Sequence, residues 1–502
     1  MFRGVPFAAP PVGALRWRPP QPAAEWRDVR DATRFGPASV QGRPNGLTDV
    51  VPYGGAPEPT SEDCLTLNVW APVHGAAPAP VMVFLHGGSG VFGSGSLPYY
   101  GGAAFARDGV ALVTVNYRLG VLGGFAHPAL TREARASGDL MGAYATMDQM
   151  AALGWVRRNI AAFGGDPGNV TLFGESAGAI SVLNLAAMPL ARGLFDKAIV
   201  QSGGGWFPPG QDRKRAEAAG VAIGKVFGVG AGGSVEELRR IPARQLMELN
   251  LPGAGFTDPR LAPEGLTSAI AAGRHARAPL MIGANSGEDS LLDHGDGVAR
   301  LRAGIKPRVM ARLRTLYPGA DDETLARNYF RDGVGAAAAR WVARKWSSRA
   351  PAYLYRFEHV DEAALARRDR APHGSEIFYV FETLGQQPAS IGAFPATAAD
   401  RRMAAEVHGR WVAFARTGGP DGEGLSPWPA YSPGRDPWMV FGQDGACARD
   451  HLMRKQLDWY ERRTAPLILM LRGRAEGRRL LRFLAGAPAL PGERGGEGVL
   501  AR

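Results

Sequence analysis

Two short glycine-flanked stretches carry the residue types from which acyl-transfer chemistry is built. In Gly174-Glu175-Ser176-Ala177-Gly178 a serine hydroxyl stands two residues from a glycine on either side. That spacing suits a turn so tight that passing backbone leaves no room for a Cβ at the flanking positions. Such a turn holds the Ser176 hydroxyl clear of the chain. The next N–H, that of Ala177, then opens a helix and has no intrahelical partner. In His86-Gly87-Gly88-Ser89-Gly90 the small residues let backbone N–H groups turn toward a developing negative charge, which an oxyanion hole requires.

A serine hydroxyl is a weak nucleophile until a base takes its proton, and the base needs an acid to orient it. Where an elbow serine ends a central strand, in the α/β-hydrolase order, the acid follows the serine and the histidine follows the acid. The histidines beyond Ser176 are His275, His294, His359, His373, His408 and His451. His373 lies in Pro372-His373-Gly374-Ser375-Glu376, a loop of small residues after a predicted strand, and is the expected base. His408 falls on a predicted helix and reads as a structural or surface histidine. For the acid, Gly283-Ala284-Asn285-Ser286-Gly287-Glu288 leaves a strand end directly. Glu288 is the first choice, and Asp289 is the alternative at a register error of one residue.

Positioning these groups needs a sheet whose strands end at one edge. Val170-Thr171-Leu172-Phe173 is apolar and partly β-branched, as a buried strand should be, and it runs into the serine turn. The stretch 179–188 after the turn reads as a helix. Val81-Met82-Val83-Phe84-Leu85 is a second buried strand and runs into the glycine loop. Further strands are predicted at 65–70, 111–116, 198–201, 279–284, 352–357 and 438–441, the last of these closing the series. Helices are predicted at 144–159 and 401–417, with mainly helical stretches at 207–275 and 296–350. This alternation argues for a mostly parallel α/β sheet with helices on both faces and large helical insertions. Residues 1–60 are rich in Pro and Gly and read as an ordered but irregular arm. The expected organisation is one domain over 1–465, followed by a loosely attached basic tail over 466–502.

Composition narrows the function classes. Of 502 residues 45% are hydrophobic and 21% charged, enough for a large core. The net charge of +11 hints at nucleic acid, yet only six of the 58 basic residues are lysines. The arginine, alanine and glycine excess reads as coding bias. With no aromatic-rich basic patch, nucleic-acid binding is not expected. No stretch of about 18 apolar residues occurs, so stable membrane insertion is not expected either. Met1–Pro6 lacks the apolar segment of a secretory signal, which favours a cytoplasmic location. Cys64 and Cys447 suggest free thiols, not a disulfide framework or metal site. The oligomeric state stays open.

The motifs also resemble those of the type-B carboxylesterase family, which includes para-nitrobenzyl esterases, carboxylesterases and cholinesterases. Glu62-Asp63-Cys64-Leu65-Thr66-Leu67-Asn68-Val69-Trp70-Ala71-Pro72 matches one family signature. The run from Phe163 to Gly178 matches the serine signature. Asn116-Tyr117-Arg118-Leu119-Gly120, Asp148-Gln149 and Trp428-Pro429-Ala430-Tyr431 are similar to other family stretches. The resemblance spans about residues 2–463. It implies an α/β-hydrolase fold and a serine esterase without metal or cofactor, acting on a small-molecule ester through an acyl-enzyme. It also implies Ser176 as nucleophile, Glu288 as acid, His373 as base, and the N–H groups of Gly88, Ser89 and Ala177 as oxyanion donors. Amide, carbamate and thioester hydrolysis would use the same machinery. Relatives in adhesion keep the fold without the nucleophile, but Ser176, Glu288 and His373 are all present here.

Four departures from the family pattern stand out. Ser89 replaces a usual glycine, so a Cβ would constrain that backbone if its φ is positive. Bulky tertiary-alcohol esters are therefore doubtful substrates. Ser39 replaces the cysteine that often pairs with the one at Cys64, which removes that disulfide. Asp289 stands where glycine commonly follows the acid. About twenty residues expected before Met1, with the edge β-structure they build, are absent, which keeps secretion open.

Overall fold

The short apolar runs of the sequence become strands buried on both faces, and their carboxyl ends meet along one edge. The computed structural model describes residues 1–42, 59–73, 77–204, 211–253, 255–365, 369–386 and 395–470. Its strands are β1 (Phe2–Pro6), β2 (Ala38–Ser39), β3 (Thr60–Ser61), β4 (Thr66–Trp70), β5 (Ala79–Leu85), β6 (Ala111–Val115), β7 (Gly165–Glu175), β8 (Lys197–Gln201), β9 (Leu280–Asn285), β10 (Ala352–Phe357), β11 (Pro437–Gly442) and β12 (Gly445–Asp450). Ten of them form one sheet in the order β1-β4-β6-β5-β7-β8-β9-β10-β11-β12, while β2 and β3 pair separately. From β6 to β11 every neighbour is parallel. Antiparallel strands close both ends. This is the mixed α/β sheet of an α/β-hydrolase.

β5 shows why the central strands read as unbroken apolar runs. Val81, Val83 and Leu85 enter the core on one face. Met82 and Phe84 enter the core on the other. A strand covered on both faces has no polar side to alternate with, and each such side chain contributes about 1.5–3 kcal/mol on burial. The helices Ala177–Ala187 and Ala337–Trp346 cover the first face, through residues such as Val182 and Trp341. The helix Ala398–Thr417 covers the second through Val407, Trp411 and Phe414. Tyr144–Asn159 is helical over the predicted range.

Both edges depart from the sequence reading. The arm at 1–60, expected to be irregular, begins with strand β1, antiparallel on β4. Its register is irregular between Phe2 and Val5, where Gly4 turns at φ +63°, and this hides the strand from a period-two search. The strand predicted at 438–441 is not the last, because β12 folds back on β11. β12 is mostly exposed and shows no apolar alternation, so it left no signal to read. The helix Arg454–Met470 also runs five residues into the segment assigned to the tail. Buried Arg340 fastens that helix through Asp458 (2.9 Å) and Glu461 (3.1 Å) while bonding Asp436 at 2.9 Å. The remainder of the tail reading, 471–502, lies outside the described residues.

Candidate active site

The serine turn is built where β7 runs into the helix Ala177–Ala187. Ser176 takes φ +54° and ψ −122°, a conformation a non-glycine residue adopts only when its surroundings impose it. Two contacts impose it. A Cβ at Gly178 would lie 1.9 Å from the carbonyl oxygen of Leu85, and one at Gly174 would lie 2.6 Å from the Gly178 carbonyl carbon. The Ser176 N–H donates to Gln201 O at 2.9 Å, tying the turn to the end of β8. Ser176 and Ala177 are half-buried and reachable from one side, while the flanking residues are buried.

The glycine loop leaves β5 beside this turn. Gly88 has φ +99°, and a Cβ there would lie 2.1 Å from Phe92 O. Ser89 has φ +56°, so the backbone that suits glycine is occupied by a serine. The Gly88 carbonyl accepts from Val91 N–H at 2.9 Å and Phe92 N–H at 3.1 Å, closing the loop. Among the described residues, the N–H groups of Gly88 and Ser89 donate to no protein acceptor. His86 stacks on Tyr117 at 4.4 Å between ring centres, and burial lowers its pKa to about 4, so it stays neutral.

Glu288 and His373 meet across the ends of β9 and β10. His373 Nδ1 lies 2.5 Å from Glu288 Oε2, and the other Glu288 oxygen accepts from the Asn285 N–H at 2.8 Å. Among the described residues, Ser176 included, His373 Nε2 finds no hydrogen-bond partner, and it sits 3.2 Å from Glu175 Oε1, one residue from the nucleophile. Asp289, the alternative acid, points elsewhere: its Oδ2 is 3.6 Å from Arg327 and 4.0 Å from Arg370. His408 is buried on its helix, with Nδ1 2.7 Å from Val380 O. His359 is engaged with Asp400 at 2.9 Å.

The electrostatics sort three buried carboxyls. Burial alone would raise Glu288, but the His373 charge and hydrogen bond outweigh it and hold Glu288 below its ordinary value. Burial pushes Glu175 well above the carboxylate range and raises Glu376 as well. For His373, burial disfavours the cation, yet Glu288 and then Glu175 outweigh it and push the imidazole up to about 9. Glu288 is thus the leading attraction on the His373 cation, and His373 titrates above an ordinary histidine.

Sequence reasoning missed the polar frame around His373. Asn285 Nδ2 donates to Glu376 Oε2 at 2.5 Å and to Pro372 O at 2.8 Å. Gln201 Nε2 donates to Glu376 Oε1 at 3.2 Å, and Trp411 Nε1 donates to Gln201 Oε1 at 3.2 Å. The acid turn also grips the histidine turn from its other side. Gly287 N–H donates to Ala371 O (2.8 Å), Ala371 N–H to Ser286 Oγ (2.9 Å), and His373 N–H to Ser290 Oγ (3.0 Å). Glu376 and Asn285 stood inside the stretches quoted for the base and the acid. The signal available was a carboxyl three residues from His373 and an amide three residues before Glu288.

The arrangement can therefore stabilise an imidazolium beside the serine turn and present backbone donors to an oxyanion. A family model described as the carboxylesterase family matches residues 1–295 and 306–460. The chain is 36% identical to a fumonisin B1 esterase of Sphingopyxis macrogoltabida, over 88% of this chain and 83% of that protein. It is 35% identical to a para-nitrobenzyl esterase of Bacillus subtilis, over 86% of this chain and 88% of that protein. The solved structure of a Geobacillus stearothermophilus carboxylesterase superposes with a TM-score of 0.75 at 33% identity, covering 91% of this chain and 95% of that one.

Proposed function

The chain belongs to the carboxylesterase family and is a serine carboxylesterase, and from that premise we propose that Ser176, His373 and Glu288 carry out the hydrolysis. The observation that carries the assignment is the placement of one imidazole. Its Nδ1 meets Glu288 at 2.5 Å, and its Nε2 lies against the elbow residue Glu175 at 3.2 Å.

Neutral His373 accepts the Ser176 proton at Nε2 as Oγ attacks the ester carbonyl carbon. The carbonyl π electrons move to oxygen, and the N–H groups of Gly88, Ser89 and Ala177 stabilise that oxyanion. The tetrahedral intermediate collapses, the carbon–oxygen bond to the alcohol breaks, and the imidazolium returns its proton to the leaving alkoxide. A water then attacks the acyl-enzyme with His373 again as base. The acid is released and Ser176 is regenerated. Glu288 fixes the tautomer with Nδ1 protonated and stabilises the imidazolium in both steps. The substrate is a small-molecule carboxylic ester. Among the described residues no helix is long and apolar enough to cross a membrane.

The test pairs labelling with mutation. A fluorophosphonate probe should add one label per chain, on the peptide holding Ser176. Ser176→Ala should abolish labelling and lower turnover of a short-chain aryl ester by about 10⁴-fold or more with the fold intact. A folded Ser176→Ala protein retaining a tenth of the wild-type turnover would overturn the assignment.

A further inference from the structure

We infer that Asn285 is a positioning residue for the hydrolysis, clamping the acid turn and the histidine turn into one unit; the inference rests on the roles proposed for Ser176, Glu288 and His373. Asn285 is the last residue of β9, is 1% exposed and is paired in register with Phe357, the last residue of β10. It reaches both partners of the acid–base pair at once. Its backbone N–H holds Glu288 Oε1 at 2.8 Å. Its side-chain amide holds Pro372 O, immediately before the base, at 2.8 Å and Glu376, three residues after it, at 2.5 Å.

An amide nitrogen has two hydrogens, and these are its two shortest bonds, with Ser375 Oγ farther off at 3.5 Å. Glu376 is buried, so its Oε2 would lose this donor without gaining water if the amide were removed, whereas half-buried Pro372 O would keep the Ser375 hydroxyl at 2.8 Å and N–H at 3.1 Å. The Ser286 and Ser290 contacts fasten the backbone at Ala371 and His373. Asn285 is the group that spans the turn, from the residue before the histidine to the carboxyl after it. That carboxyl is anchored in turn through Gln201 and Trp411 to the helix Ala398–Thr417. An ionised aspartate at 285 would have nearly the same shape and could donate to neither acceptor. Donation, not volume, is thus the property that matters here.

Asn285→Ala and Asn285→Asp, made in the full-length chain, should each lower kcat for a para-nitrophenyl ester by about 10–100-fold with KM within about twofold. Fluorophosphonate labelling of Ser176 should slow in parallel. The acid limb of kcat/KM should move down in pH, because an imidazole freed from fixed contact with Glu288 loses part of the field that raises it. Asn285→Ser, which retains one short donor, should recover part of kcat, and it stands in if the aspartate variant does not fold. Ser286→Ala serves as a comparator that cuts one clasp bond but leaves the Asn285 contacts in place. If the Asn285 variants keep kcat within about threefold and leave the acid limb in place, the inference fails, whatever happens to their melting temperatures. Ser176→Ala measured alongside separates the two layers. If that variant retains turnover, the proposed roles themselves fail; if it is inactive while the Asn285 variants are normal, only the clamp fails.

Discussion

Glu288→Gln and Asp289→Asn, compared as a pair, probe two carboxyls adjacent in sequence that face different partners. Glu288 contacts His373 Nδ1 at 2.5 Å, whereas Asp289 lies 3.6 Å from Arg327 and 4.0 Å from Arg370. Unit charges about 4 Å apart interact by about 4 kcal/mol at an effective dielectric constant of about 20. Losing that stabilisation of the imidazolium in the transition state corresponds to about 10³-fold. The expected loss in kcat for Glu288→Gln is accordingly about 10²–10⁴-fold, and for Asp289→Asn no more than about threefold. The pH profile adds a sign. His373 works as the neutral base, and its pKa is raised toward about 9, so the wild-type acid limb should lie above the ordinary histidine value of about 6.5. Removing the Glu288 charge takes away the largest attraction that opposes burial, so the limb should fall while the plateau also falls. The assay is kcat and kcat/KM for a para-nitrophenyl ester from about pH 6 to about pH 9, with circular dichroism to confirm folding. A damaging Asp289→Asn beside a silent Glu288→Gln would refute the reasoning. So would a Glu288→Gln acid limb that does not move.

Two further outcomes are expected. Gly178→Ala should cost more than about 3 kcal/mol of stability, because its Cβ would lie 1.9 Å from Leu85 O; a melting temperature within a few degrees of wild type would contradict this. Thiol titration of denatured, unreduced protein should find both Cys64 and Cys447 free, whereas in the native state only exposed Cys447 should react readily. Cys64 is fully buried, and burial pushes its thiol up to about 12, so its thiolate is scarce; native reactivity equal to that of Cys447 would contradict the placement.

What was legible in the chain was local. The elbow at Ser176 and the loop at His86–Gly90 leave no room for a Cβ at Gly174, Gly178 and Gly88, so the glycines announce them. The central strands are short, apolar and buried on both faces, and β10 and the helix Tyr144–Asn159 fall on their predicted ranges. The choice between Glu288 and Asp289 was not legible, because one residue of register in a 3₁₀ turn decides which carboxyl meets the histidine. Nor was the role of Glu376, whose donors Asn285 and Gln201 lie 91 and 175 positions away. The edge strands β1 and β12 escaped for a different reason. An edge carries few buried side chains, and its pairing is held by backbone groups that every residue shares.

The lockstep pairing of β9 with β10, from Leu280 and Ala352 to Asn285 and Phe357, has a bearing on how such an enzyme diversifies. Two long crossovers leave the sheet at matched heights, one after Asn285 and the other after Phe357. Glu288 stands in the first turn after its strand, while His373 comes well after Phe357, just before the helix Ile377–Val380. Everything later in either excursion, including the helices Gly297–Gly304 and Pro307–Leu316, is mechanically downstream of the chemistry. Insertions, deletions or wholesale exchange there can reshape the approach to the nucleophile while the strand ends keep acid and base in place. The stretches beyond Glu288 and His373 in the two crossovers can thus be revised without moving the strand ends that anchor acid and base.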